Sequence, residues 1–124
     1  MSNPTLQKNF TAGAAISPYT IVKFSAASTV VAAAAVSDSL IGISNEVGPA
    51  SGERCDVVMA GVAFVTASAA FSLGALLTSD ASGRAAAAAP AGGTNNRIIA
   101  TALEAAAATG DVVRVMITPG SFQG

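Results

Sequence analysis

The residues of this sequence that could share acid–base work come as two acid pairs, Glu46 with Asp56 and Glu104 with Asp111. Two carboxylates can divide the roles of acid and base when their surroundings push their pKa values apart. Neither pair has a helper. Histidine is absent, and no lysine stands in a Ser-x-x-Lys arrangement that would activate one of the many serines. Asp38, Asp80 and Asp111 sit beside serine or glycine, the setting of a loop calcium site, but no dense run of oxygen ligands accompanies them. Turn chemistry accounts for them better, because a short carboxylate bonds backbone N–H groups close by in the chain.

The single cysteine, Cys55, excludes an internal disulfide and any multi-cysteine metal site. It alternates with Val57 and Met59, which predicts a small inward-facing core residue instead of a reactive thiol. No glycine loop of the phosphate-cradling kind is present. The expectation is a protein that is not an enzyme, with no catalytic residue, no cofactor and no metal.

Charge narrows the partners. Lys8, Lys23, Arg54, Arg84, Arg97 and Arg114 never cluster, and the net charge is −1, so no nucleic-acid footprint exists. Charged residues make up 10% of the chain and hydrophobic residues 52%, much of it alanine. A surface so poor in charge predicts cover by copies of the chain or by a partner. Val57 to Ser79 carries no charge and is long enough to span a bilayer as a helix. Gly61, Thr66, Ser68, Ser72 and Gly74 break it into short β-like runs, so no membrane partner is expected. Met1 to Phe10 is polar and lacks the apolar run of a signal peptide.

The elements that carry these residues are written twice. Thr11–Ser17 aligns with Thr66–Ser72, an offset of 66 − 11 = 55, and Ile21-Val22 falls on Leu76-Leu77. A second block sets Ile41 on Ile99, Glu46 on Glu104 and Ala50-Ser51-Gly52-Glu53 on Ala108-Thr109-Gly110-Asp111, an offset of 99 − 41 = 58. The three extra residues fall in Pro90 to Asn96, a loop by composition. On this reading residues 1–124 form a single domain of two repeated halves, about 6–60 and 61–118, with an N-terminal arm, 1–7. A half of that size closes no core alone. Glu46 and Glu104 are then repeat counterparts, as are Glu53 and Asp111, which favours a duty in turns over one in catalysis.

Alternation selects strand over helix. Cys55, Val57 and Met59 share one face against Arg54 and Asp56; Val113, Val115 and Ile117 share one against Arg114 and Met116. Ile21–Phe24, Thr29–Val31, Leu40–Ile43, Val62–Val65, Leu76–Thr78 and Arg97–Ile99 read as further strands, and Asp80–Gly83 as a hairpin turn. The fold class is all-β: a small barrel or sandwich of about ten short strands. Ala85–Ala89 and Ala105–Ala108 are the ambiguous runs, since alanine is the best helix former. Both are short for a helix, so at most one or two helical turns are expected.

The second copy resembles a known family. Leu73-Gly74-Ala75-Leu76-Leu77-Thr78-Ser79-Asp80-Ala81-Ser82-Gly83-Arg84 is similar to the G-D-x-L-Y-x-D-x-x-x-G-K segment of bacteriophage capsid decoration, or head cement, proteins. Ile99 to Val115 resembles their closing I-G-x-A-L-E-A-A-A-A-G-D-x-x-V-R-V. The chain departs in lacking the aromatic before Asp80 and in its longer stretch from Ala85 to Asn96. The resemblance implies a β-barrel-like unit on the outer surface of the virion capsid. It implies the major capsid protein as partner, and self-association as a homotrimer, or as a dimer. The expected capsid contact is the arm, Ser2, Asn3, Pro4, Thr5, Leu6 and Gln7, which precedes the first repeat and has no evident packing duty. The competing reading is a receptor- or glycan-binding module of a phage fibre or bacterial surface protein. Such sites favour exposed aromatics, and this chain has one tyrosine and no tryptophan.

Overall fold

Val22, Val30, Cys55 and Val57 each turn inward to a core that excludes water, while Ile21 and Val58, beside Val22 and Val57, are buried on the opposite face. The strands they belong to are seen in a computed structural model that describes residues 3–36, 38–88 and 95–123. Among the described residues there are nine strands and no helix: β1 (Asn3–Ala12), β2 (Ile21–Ala26), β3 (Thr29–Ala32), β4 (Leu40–Ser44), β5 (Arg54–Thr66), β6 (Leu76–Ser79), β7 (Ala85–Ala87), β8 (Asn95–Ala102) and β9 (Val112–Gln123). The order along the sheet is β1-β3-β2-β4-β5-β9-β8-β6-β7, and β1 also pairs with β5. The first five strands therefore close into a barrel. The other four continue from β5 and return to its end through a parallel bridge, Ala67 to Ala85.

The all-β expectation holds, with two differences in detail. The strands number nine and three of them are long, because the runs at Val57–Met59 and Val62–Val65 are one thirteen-residue strand, β5. Gly61 lies in its middle at φ +92°, a conformation that resists any side chain, and the β1–β5 register shifts beside it while the strand continues. The helical turns allowed for the alanine runs are not formed among the described residues. Ala85–Ala87 instead pairs with Leu77–Ser79 as an antiparallel edge. A few alanines cannot meet the cost of nucleating a helix, whereas a neighbouring strand satisfies their backbone groups directly.

Pairings recur at the two sequence offsets. Val22↔Ala32 has its counterpart in Leu77↔Ala87, and Ile21↔Ile43 in Leu76↔Thr101. Ser44↔Val57 corresponds to Ala102↔Val115, and Thr11↔Arg54 to Thr66↔Val112. The parallel contact Ala12↔Val30 corresponds to the Ala67↔Ala85 bridge. The carboxy-terminal half of β5 thus stands to the second set of strands as β1 stands to the first.

The core follows the same division. Ala12, Ile16, Val22, Val30, Cys55 and Val57 fill the barrel. A larger cluster joins Val65, Phe71, Leu77, Ile99, Val113 and Val115 to Ile21, Ile43 and Val58, which lie on the outside of the barrel wall. Each fully buried valine, isoleucine or leucine contributes about 1.5–3 kcal/mol of transfer free energy. The buried alanines, among them Ala63, Ala67, Ala100 and Ala106, contribute less and let the layers approach closely.

Gly42 tests this close approach. A Cβ at Gly42 would run into the Val58 carbonyl oxygen and the Val57 side chain. At the counterpart position, 42 + 58 = 100, Ala100 is accommodated and buried. Gly42→Ala is expected to lower the unfolding free energy by about 1–3 kcal/mol through overpacking. Urea unfolding checks it, with Gly52→Ala as comparison. Gly52 has open space but φ +87°, so that change is expected to cost only about 1–2 kcal/mol of backbone strain.

Candidate functional site

The acidic side chains are held by their own loops. Asp38 Oδ2 accepts from the N–H groups of Ala34 (2.8 Å) and Ala35 (2.9 Å) and pairs with Lys23 at 3.1 Å. Asp80 accepts from Ser82 N and Arg84 N and pairs with the Arg84 guanidinium at 3.0 Å, which fixes the β6–β7 hairpin turn. Asp111 accepts from Ala107 N and Ala108 N, and Glu53, aligned with it at the offset of 58, accepts from Ala50 N. Glu104 accepts from Arg114 N at 2.7 Å and pairs with its guanidinium at 3.5 Å. Asp56 pairs with Arg54 at 3.3 Å.

The two sequence-level acid pairs are therefore not brought together as working pairs: each member serves a turn or an ion pair, except Glu46. Glu46 lines a hollow of about 80 Å³ with Gln7, Tyr19, Ser44, Asn45 and Phe64. That is well below the few hundred Å³ of an ordinary ligand pocket; two wider hollows, of about 410 Å³ beside Phe10 and Arg54 and about 310 Å³ beside Thr20 and Arg84, are open depressions of the surface. Tyr19 packs edge-on against Phe64, ring centroids 6.0 Å apart. No group of three metal-ligating side chains occurs among the described residues. No helix among them is long and apolar enough to cross a membrane.

Electrostatics agrees with these structural duties. The Ala34 N–H is the largest influence holding the Asp38 carboxyl below its ordinary value, opposed by partial burial and helped by Lys23 and the Ala35 N–H. Glu104 is likewise lowered, first by the Arg114 N–H and then by the Arg114 charge. Cys55 is buried, and burial, with the nearby Asp56 charge second, pushes its thiol up.

The expected contact arm is placed as follows. Ser2 lies outside the described residues. Asn3 to Gln7 are not a free arm; they are the first half of β1, paired with β5 as Asn3↔Val62, Pro4↔Gly61, Leu6↔Ala60 and Gln7↔Val58. The sequence hid this duty because it lies opposite β5 residues some fifty positions away, and polar residues on an outer strand look like an unstructured arm. β1 pairs with β3 only at Thr11 and Ala12. From Asn3 to Phe10 its second edge faces no other strand among the described residues. Leu6 on this stretch is 46% exposed.

A second surface was not singled out from the sequence. Leu76, Thr101, Met116 and Val62 lie side by side across β6, β8, β9 and β5 on the outer face of the sheet. Leu76 and Met116 are 42% and 45% exposed, and Val112 and Leu103 on the same face are open as well. The repeat alignment itself was the available signal, since it pairs these positions with Ile21, Ile43 and Val58.

What the fold offers among the described residues is exposed sheet face and strand edge on a small all-β unit. Residues 3–117 match the phage cement protein family, and the chain belongs to it. It is accordingly a structural protein of the phage head, located in the virion capsid. The fold is similar to that of the N base of the head fibre protein gp8.5 of bacteriophage phi29, with a TM-score of 0.69 and 16% identity, over 96% of this chain and 98% of that one. No curated protein matches the sequence.

Two measurements check the site. Cys55 is expected to react with a thiol reagent only at the rate of unfolding, since it is buried and its thiolate is disfavoured; rapid native labelling would reverse the facing of β5. Asp38 and Glu104 are lowered from ordinary values of 3.8 and 4.5, so their contribution is present above those values and is lost as pH falls through the lower folded values. Asp38→Asn is expected to destabilise at neutral pH, with the difference closing in acid. A difference that stays constant down to strong acid would show that Asp38 does not act through its charge.

Proposed function

We propose that this protein binds the outer surface of the assembled head and stabilises contacts between major capsid subunits, as a homotrimer. Membership of the cement family is the observation that carries the proposal. The acids that serve their own turns, and the small volume of the hollow at Glu46, support a role in adhesion over one in chemistry. We also read the chain as a duplicated half-domain, 6–60 and 61–118, and the recurring strand pairings support that reading.

The contact is assigned to Ser2 to Gln7, of which Asn3 to Gln7 present a strand edge. β1 holds β5 through one set of backbone groups, and an extended capsid strand would add to its other set by β-augmentation. Pro4 removes one donor from this strand and so limits the register of pairing. Many weak contacts, multiplied by copies of the chain, attach firmly without a strong single site. With charged residues at 10%, attachment owes little to long-range steering.

Undecorated heads mixed with purified protein test this. Occupancy is expected to saturate, with an affinity that changes less than about threefold between low and moderate salt. Deleting the arm would also remove β1–β5 pairs, so Leu6→Glu is the sharper variant. It is expected to weaken occupancy by about tenfold, the equivalent of about 1.4 kcal/mol, with an unchanged melting temperature. Full occupancy by Leu6→Glu would remove the arm from the contact, and failure of the intact protein to bind any head would end the cement reading.

A further inference from the structure

In the first half of the chain the row Ile21, Ile43 and Val58 is almost completely buried. It sits on the outside of the barrel wall, where the second half covers it: these side chains belong to one cluster with Ile99, Ala100 and Ile117, and β4 packs against β8 and β9. At offsets of 55 and 58 the counterparts are Leu76, Thr101 and Met116, paired with one another in the same manner. Among the described residues nothing covers this row, and Leu76 and Met116 remain open.

The surroundings of the row differ in a telling direction. Around the covered row of the first half lie polar residues, Asn45 and Arg54. Their counterparts are Leu103 (45 + 58) and Val112 (54 + 58), both exposed. A half that ended the molecule in water would gain from polar residues at those positions. Apolar residues there extend the open row into a patch of the kind that marks a contact surface. The charge on it is the Glu104–Arg114 pair, with side chains about half exposed. Such a surface is complementary to itself: Glu104 of one copy can meet Arg114 of the next around a symmetry axis, so no unbalanced charge is buried.

We propose that the Leu76–Met116 face of the β5-β9-β8-β6 sheet is the contact between copies of this chain, bordered by Leu103, Val112 and the Glu104–Arg114 pair. This deepens the homo-oligomeric part of the proposed function and rests on it. The occupant is a second copy because the face carries both members of the Glu104–Arg114 pair, so two like faces meet without burying net charge.

The test is the mass of the intact protein in solution by light scattering, without heads. The wild type is expected to run as an oligomer, and Leu76→Asp with Met116→Asp as a monomer with an unchanged circular dichroism spectrum, since both side chains are already open to water. Glu104→Arg alone is expected to weaken assembly by at least about tenfold, and Glu104→Arg with Arg114→Glu to restore it. A wild type that stays monomeric at high concentration overturns self-association altogether, and leaves binding to heads as a separate question. An oligomer unaffected by the two aspartates overturns this face alone.

Discussion

β5 is one strand that completes two sets of strands, and the rest of the molecule is arranged around that constraint. A strand has two edges. Along Arg54 to Val62 one edge of β5 holds β1 and closes the barrel, while Val57 and Val58 hold β4 on the other. From Val62 to Thr66 that second edge passes to β9 and starts the next set. Gly61 at φ +92° lies between the two uses, where the β1–β5 register also shifts. Because β5 is shared, neither set of strands is complete without the other's residues, and the core of the second joins the outside of the first.

The composition suits a fold held in this manner. Alanine supplies little transfer free energy, so cohesion depends on backbone pairing across long ladders and on a limited number of valines, isoleucines and leucines. Small side chains keep neighbouring layers close, to the point that Gly42 leaves no room for a methyl group under β5. The few charges are used locally: Asp38, Asp80 and Asp111 tie their turns through backbone N–H groups, and Glu104 ties the loop before β9 to β9 itself. Hardly any charge is left to dress the outer sheet.

Much of this was legible from residue order. Alternation at Cys55–Met59 and Val113–Ile117 announces strands and their facing, and Cys55, Val57, Val113 and Val115 are buried as that pattern requires. Absence of histidine and lack of a basic cluster remove whole classes of chemistry. The closing motif from Ile99 to Val115 carries the family resemblance. These are local properties: side-chain alternation has a period of two, and a motif is a string, so neither depends on what lies across the sheet.

What only the tertiary structure decided is which edge and which face remain unoccupied. Asn3 to Gln7 read as an arm because their partners, Val58 to Val62, are far along the chain; long-range backbone pairing leaves no mark on the polar side chains of an outer strand. Ile21 and Leu76 are equally apolar, and the sequence sets them in register, yet one is buried and the other half open. Their own residue types cannot separate them. Burial is a property of the neighbour that packs on top: residues of β8 and β9 pack on Ile21, while among the described residues nothing packs on Leu76 in the same way.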